Sequence, residues 1–120
     1  MIVERIQQAV LSGTVIPKPE AKADFVVKAW GRRRDERALI YLIPNHGNPG
    51  RPHEKGITET EFELAYEELR SSGELTRTWF VKNLPGCAKE GSCNYTTLGG
   101  IFELLGEATY SSRGVYKRLL

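Results

Sequence analysis

The chain has 120 residues, 40% of them hydrophobic and 27% charged, with a formal net charge of +2, two cysteines and two histidines. This composition suits one ordinary globular domain with its own core, and excludes a collagen-like, disulfide-stapled or charge-rich disordered chain. No run approaches the ~18 apolar residues of a membrane span, and the start Met1-Ile2-Val3-Glu4-Arg5-Ile6 lacks a secretory pattern. The expectation is a cytoplasmic single domain with no membrane partner, in which Asn94-Tyr95-Thr96 matches a glycosylation acceptor by chance. Charge is uneven: residues 28–55 sum to +4, residues 56–75 to −5 and residues 76–120 to +3. Such patchiness fits an anionic partner on a basic side, or self-association through complementary patches.

In chain order, Ile2, Ile6, Ala9 and Val10 recur at helical spacing and predict an amphipathic helix over 2–12, stopped at Ser12-Gly13. Pro17 and Pro19 hold residues 16–20 extended. The β-rich runs 24–30 and 38–43, joined by the polar 31–37, predict a β-hairpin over 24–43. Its second run is apolar on both alternating faces, as in a central strand covered on both sides, or covered by a helix and a partner chain. Thr58 and Glu61 form a capping box, and Phe62, Ala65, Tyr66 and Leu69 make one apolar stripe, so a helix is expected over 58–72. Residues 75–81 alternate well enough for a strand, with a helical turn near 79–84 as the competing reading. Residues 83–94 read as a loop. Leu98, Ile101, Phe102 and Leu105 share a helical face and predict a helix over 97–106, where Gly99 and Gly100 imply close approach of another backbone. A terminal hairpin is expected over 108–118.

The fold expected is therefore α+β: a small, mainly antiparallel sheet built from the 24–43 hairpin, strand 75–81 and the 108–118 hairpin, with three helices packed mostly on one face. Ile6, Val10, Phe25, Val27, Leu39, Tyr41, Phe62, Ala65, Leu69, Ile101, Phe102 and Leu105 are the expected core.

Two stretches attract a functional reading. The 44–56 connection holds both histidines, three prolines and three glycines. Connections of this length are usually functional or disordered, and His46, Asn48, Arg51 and His53 form a candidate ligand pocket for a carboxylate or phosphate. The 31–37 turn carries Arg32, Arg33, Arg34 and Arg37, flanked by Lys28 and Trp30. These six residues form a candidate nucleic-acid surface, the arginines reaching phosphates and the indole stacking a base.

Other constellations are incomplete. The spacings His-x6-His and Cys-x5-Cys differ from the short ligand pairs of structural zinc sites, and neither Cys87 nor Cys93 sits in a nucleophile signature. Glu20-Ala21-Lys22 offers half of a metal-dependent nuclease motif without a partner acid. Residues 91–100 put hydroxyls and backbone N–H groups near a helix start, without the lysine of a phosphate loop. Residues 57–80 have the outline of a winged-helix module, but Glu59, Glu61, Glu63, Glu67 and Glu68 would keep that helix away from a polyanion. No cofactor or metal is expected. The leading functional expectation is a non-enzymatic binding or accessory protein, homodimeric, contacting nucleic acid or another anionic partner through the basic hairpin. The alternatives are a small-ligand protein or enzyme using the 44–56 loop, and a pure protein-interaction module.

Overall fold

A computed structural model describes residues 1–119, and its architecture is α+β as expected, arranged as two antiparallel sheets around one apolar helix. Helix α1 (Ile2–Ala9) leads into β1 (Val15–Ile16), and the long hairpin β2 (Phe25–Arg33) and β3 (Glu36–Ile43) follows. Strand β4 (His53–Thr58) completes a four-stranded sheet in the order β1-β2-β3-β4 and runs directly into α2 (Glu59–Ser72). The second half comprises β5 (Glu74–Thr76), α3 (Arg77–Asn83), α4 (Pro85–Glu90), α5 (Asn94–Leu104) and the hairpin β6 (Ala108–Ser112) and β7 (Val115–Arg118). Its three strands form a separate sheet in the order β5-β7-β6. The capped helix and short strand at 59–76 are thus followed by three helices and a terminal hairpin.

Several expectations are corrected in detail. Among the described residues there are five helices instead of three, and two sheets instead of one. The predicted strand 75–81 is a strand only as far as Thr76. The Thr76 side chain accepts a hydrogen bond from the Trp79 N–H, which caps a helix there. Phe80 and Leu84, four residues apart, are the buried positions on this side, and that is helical spacing. The 83–94 loop contains α4, opened by Pro85 at its first turn, where the missing N–H is harmless. The first helix ends at Ala9 and the last begins at Asn94, earlier than 12 and 97. The 44–56 connection is shortened because residues 53–58 pair with β3, His53 opposite Ile43 and Thr58 opposite Ala38.

Where the local signals are strong, the elements form where they point. Thr58 accepts from the Glu61 N–H while the Glu61 carboxylate accepts from the Thr58 N–H, and Gly73 closes α2 in the left-handed region at φ 88°. The expected core residues are buried except Phe25 and Leu105, which are half-buried against it. In β3, Leu39 and Tyr41 face the main core. Ala38 and Ile40 point the other way and are also buried within this one chain, Ile40 lying against Gly31 of β2 and Gly56 of β4. Both faces of the central strand are therefore covered without a second copy.

Helix α5 is apolar on nearly every side, with eight buried residues from Asn94 to Phe102, which is the pattern of a fully enclosed helix. Aromatic rings fill its surroundings: Phe62 and Tyr66 of α2 meet Phe102, while Tyr95 sits between Phe80 and Tyr116. Two successive glycines make the enclosure close. A Cβ on Gly99 would collide with the Tyr116 ring, and one on Gly100 with the Pro17 carbonyl and, at 2.8 Å, with Ile16. In an open helix a Gly→Ala change adds up to about 1 kcal/mol of stability. Here overpacking reverses the sign, so Gly99→Ala and Gly100→Ala should each lower stability by about 1–3 kcal/mol. Gly47→Ala, whose nearest neighbour would be 3.6 Å away, serves as the neutral control. Urea unfolding of the three variants checks this, and a stabilised Gly100→Ala protein would contradict the packing of α5.

Candidate functional site

The arginine-rich hairpin tip is a clamp. Arg34 and Asp35 occupy the turn with φ of 50° and 61°, the positive-φ pair of a tight two-residue hairpin. From that position the Arg34 guanidinium donates to both Glu61 carboxylate oxygens at 2.8 and 2.7 Å, to Glu90 Oε1 at 3.0 Å and to the Gly56 carbonyl at 2.8 Å. Arg33 donates to Glu90 Oε2 at 3.0 Å. Burial pushes the Glu90 carboxyl upward, but hydrogen bonds from Arg34, Asn94 and the Gly56 N–H outweigh it and leave it below the ordinary range. Of the other residues singled out there, Lys28 pairs with Glu54 at 2.8 Å, Arg37 lies over the Trp30 ring and Arg32 donates to the Asp35 carbonyl. Trp30 itself packs against the core. Arg33 and Arg34 at the tip, and Lys28 beside it, are thus met by carboxylates of this chain, whereas Arg32 and Arg37 are not paired with one among the described residues.

The histidine loop is open to solvent. His46, Asn48 and Arg51 lie in the connection between β3 and β4, His53 begins β4, and all four are exposed. Asn45 organises the loop, accepting from the Asn48 N–H and donating to the Arg51 carbonyl. None of the four lines the cavities described below. Among the described residues, no group of three or more His, Cys, Asp or Glu side chains is placed to hold a metal ion. Cys87 is buried and its thiol is pushed up by that burial. Cys93 is half-buried, with Sγ 3.3 Å from the Tyr41 hydroxyl, which donates to Asn94 Oδ1.

A concave site lies elsewhere, between the proline-rich connector and the second half of the chain. A groove of about 850 Å³ is lined by Pro19 and Glu20, by Thr76, Arg77 and Thr78 at the start of α3, by Ser92 and Thr96, and by Tyr110, Arg113, Gly114 and Val115 of the last hairpin. It continues through Arg77, Thr96, Pro19 and Glu20 into a recess of about 210 Å³ that contains Lys18, Phe25 and Cys93. Several interactions hold this geometry. The Arg77 N–H donates to the Gly114 carbonyl, and its guanidinium donates to the Ser92 carbonyl and lies over the Tyr95 ring. The Tyr95 hydroxyl reaches the carbonyls of Leu75 and Gly114 at 2.6 and 2.9 Å, locking β5 to the last turn.

Lys18 is the unusual group. Its ammonium donates to the Cys93 carbonyl at 2.9 Å and to the Thr96 and Thr97 hydroxyls at 2.8 and 2.6 Å, and it lies 4.3 Å from the centre of the Phe25 ring. Those acceptors are neutral. Neither Lys18 nor Arg77 is paired with a carboxylate among the described residues. Burial, only partly offset by the Cys93 thiol and reinforced by nearby Arg77, pushes the amine down to about 7. Sequence reading passed over this residue because a lysine between two prolines looks like a solvated connector. The usable signal was Gly100, which marks where that connector docks.

The depressed amine fixes a sign for stability against pH. Below pH 7 Lys18 is charged in both folded and unfolded chains, and the penalty for burying it is fully present. Above pH 7 the folded chain releases the proton while the unfolded chain keeps it, so the Lys18 contribution to stability rises with pH. The raised Cys87 and tyrosine groups act oppositely once their unfolded forms ionise, so the window is pH 7 to 8.5. Across it, the stability of the wild type relative to Lys18→Met should grow by up to about 1.4 kcal/mol per pH unit. Urea melts at three pH values check this, and a flat difference would place Lys18 in solvent. Compared with protein-family models, with curated proteins and with solved structures, the chain matches none at a significant level.

Proposed function

We propose that this protein is a non-enzymatic binding or accessory protein that holds single-stranded nucleic acid along the groove between the proline-rich connector and the last hairpin. The observation that carries this reading is the pair Lys18 and Arg77 at the head of the groove, two cations without a carboxylate partner among the described residues. Arg113 extends the positive lining, the hydroxyls of Thr76, Thr78, Ser92 and Thr96 offer further phosphate donors, and Tyr110 offers a ring. Phosphate neutralisation with sequence-tolerant stacking is how single strands are commonly held. A duplex is disfavoured because α5, the last helix before the terminal hairpin, is enclosed and presents no face to a major groove, and because the exposed face of α2 is acidic. In the 32–37 hairpin Arg33 and Arg34 are spent on Glu61 and Glu90, so this reading assigns the partner surface to the groove instead.

Fluorescence anisotropy with a labelled single strand across a salt series tests the reading. Log affinity should fall linearly with log salt, and Arg77→Gln with Arg113→Gln should reduce the slope by about 1.4, since each phosphate contact on a single strand contributes ~0.7. Arg32→Ala and Arg37→Ala should leave the slope unchanged. No binding at low salt, or tighter binding of a duplex with the slope unmoved by the groove variants, would overturn the assignment.

A further inference from the structure

The recess at the head of the groove differs from the rest of it in charge and size. It has about a quarter of the groove's volume, is walled by the connector on one side and by Phe25 and the start of α5 on the other, and receives both Lys18 and Arg77. The one carboxylate on its lining, Glu20, is exposed. An internal phosphodiester carries one negative charge, whereas a phosphate monoester carries about −1.5 to −2 at pH 7. With the amine protonated, Lys18 and Arg77 offer two positive charges, which the second meets more fully than the first. We propose that this recess is a subsite for a phosphate monoester at the end of the bound strand, held by Lys18 and Arg77 with the Thr96 hydroxyl beside it. The inference rests on the single-strand reading of the groove and adds to it which part of the strand sits where.

Chemistry favours the exchange this requires. Lys18 now donates to one carbonyl and two hydroxyls, and exchanging one of these neutral acceptors for a phosphate oxygen adds the attraction of opposite charges. Bringing a dianion to the amine also returns it to the ammonium form, so binding takes up a proton above pH 7. The other titratable or charged groups facing this amine are Arg77, the Cys93 thiol, the Tyr41 phenol and Glu20.

The test compares one oligonucleotide with a 5′-hydroxyl, a 5′-phosphate or a 3′-phosphate, bound to the wild-type protein and to Lys18→Gln. A phosphorylated end should strengthen binding about tenfold, and Lys18→Gln should abolish that advantage, weakening the phosphorylated strand by far more than the hydroxyl-ended one. The advantage should also shrink severalfold in the wild type from pH 7 to 8.5, which decides the matter if Lys18→Gln does not fold. Equal affinity for all three strands, or an advantage indifferent to pH, overturns the subsite and leaves the groove reading standing. Competition by inorganic phosphate as effective as that of phenyl phosphate would assign the recess to free phosphate and overturn its role in holding a strand end. If no strand binds at all, the groove reading fails by itself. The recess is then judged by phenyl phosphate alone, whose thermal protection of the wild type but not of Lys18→Gln keeps a monoester site, and whose lack of effect removes it.

Discussion

The need to enclose α5 organises this protein. A helix apolar on nearly all sides has no stable place at a surface, so it must be covered from both directions. Tyr116 of the small sheet closes over Gly99, and Ile16 and Pro17 at the edge of the larger sheet close over Gly100. Burying a large aromatic or aliphatic side chain is worth roughly 1.5–3 kcal/mol, and Phe102, Ile101, Leu98 and Tyr95 are all fully buried around this axis. The same contact that covers Gly100 delivers the next residue, Lys18, to the start of the helix. The cation in the recess is therefore a consequence of how the core is closed.

A second device joins the two halves. The outer edge of β4 would leave backbone groups unpaired, a liability for any edge strand. At Gly56 the carbonyl accepts from Arg34 and the N–H donates to Glu90, while Lys55 reaches the Glu90 carbonyl. Arg34 also grips the capping glutamate of α2. One turn of a hairpin thus covers a sheet edge, supports a helix start and docks against α4, where Gly86 gives the Arg34 side chain room. Arginine suits this task because its planar fork meets a carboxylate with two bonds at once, which a lysine cannot do. Structure thus accounts for Arg33 and Arg34 of the hairpin, whose charges are met within the chain.

Legibility in the sequence follows how local each signal is. The capping box of Thr58 and Glu61 and the two hairpins are set by neighbours within a few residues, and they stand where the pattern places them; the close approach of another backbone holds at Gly100, against Pro17, while Gly99 meets the Tyr116 ring instead. Leu75 to Val81 misleads because an alternating run also satisfies the i, i+4 spacing of Phe80 and Leu84, and the Thr76 cap decides between the two. Strand β4 escapes because His53-Glu54-Lys55-Gly56 has no strand pattern of its own and is recruited by the apolar β3 beside it. The groove was the least legible part. Lys18, Arg77, Ser92, Thr96 and Arg113 are scattered over most of the chain, and they are assembled by the bonds of Arg77 and Tyr95 to the last turn and by the docking of the connector on α5.

The central claim, that enclosing α5 builds a phosphate-binding groove around Lys18 and Arg77, is tested most directly by residue-resolved mapping. Isotope-labelled protein titrated with a short 5′-phosphorylated single strand should show its largest amide shifts at Lys18, Arg77, Ser92, Thr96 and Arg113. Shifts concentrated at residues 32–37 or 46–53, with the groove silent, would contradict it.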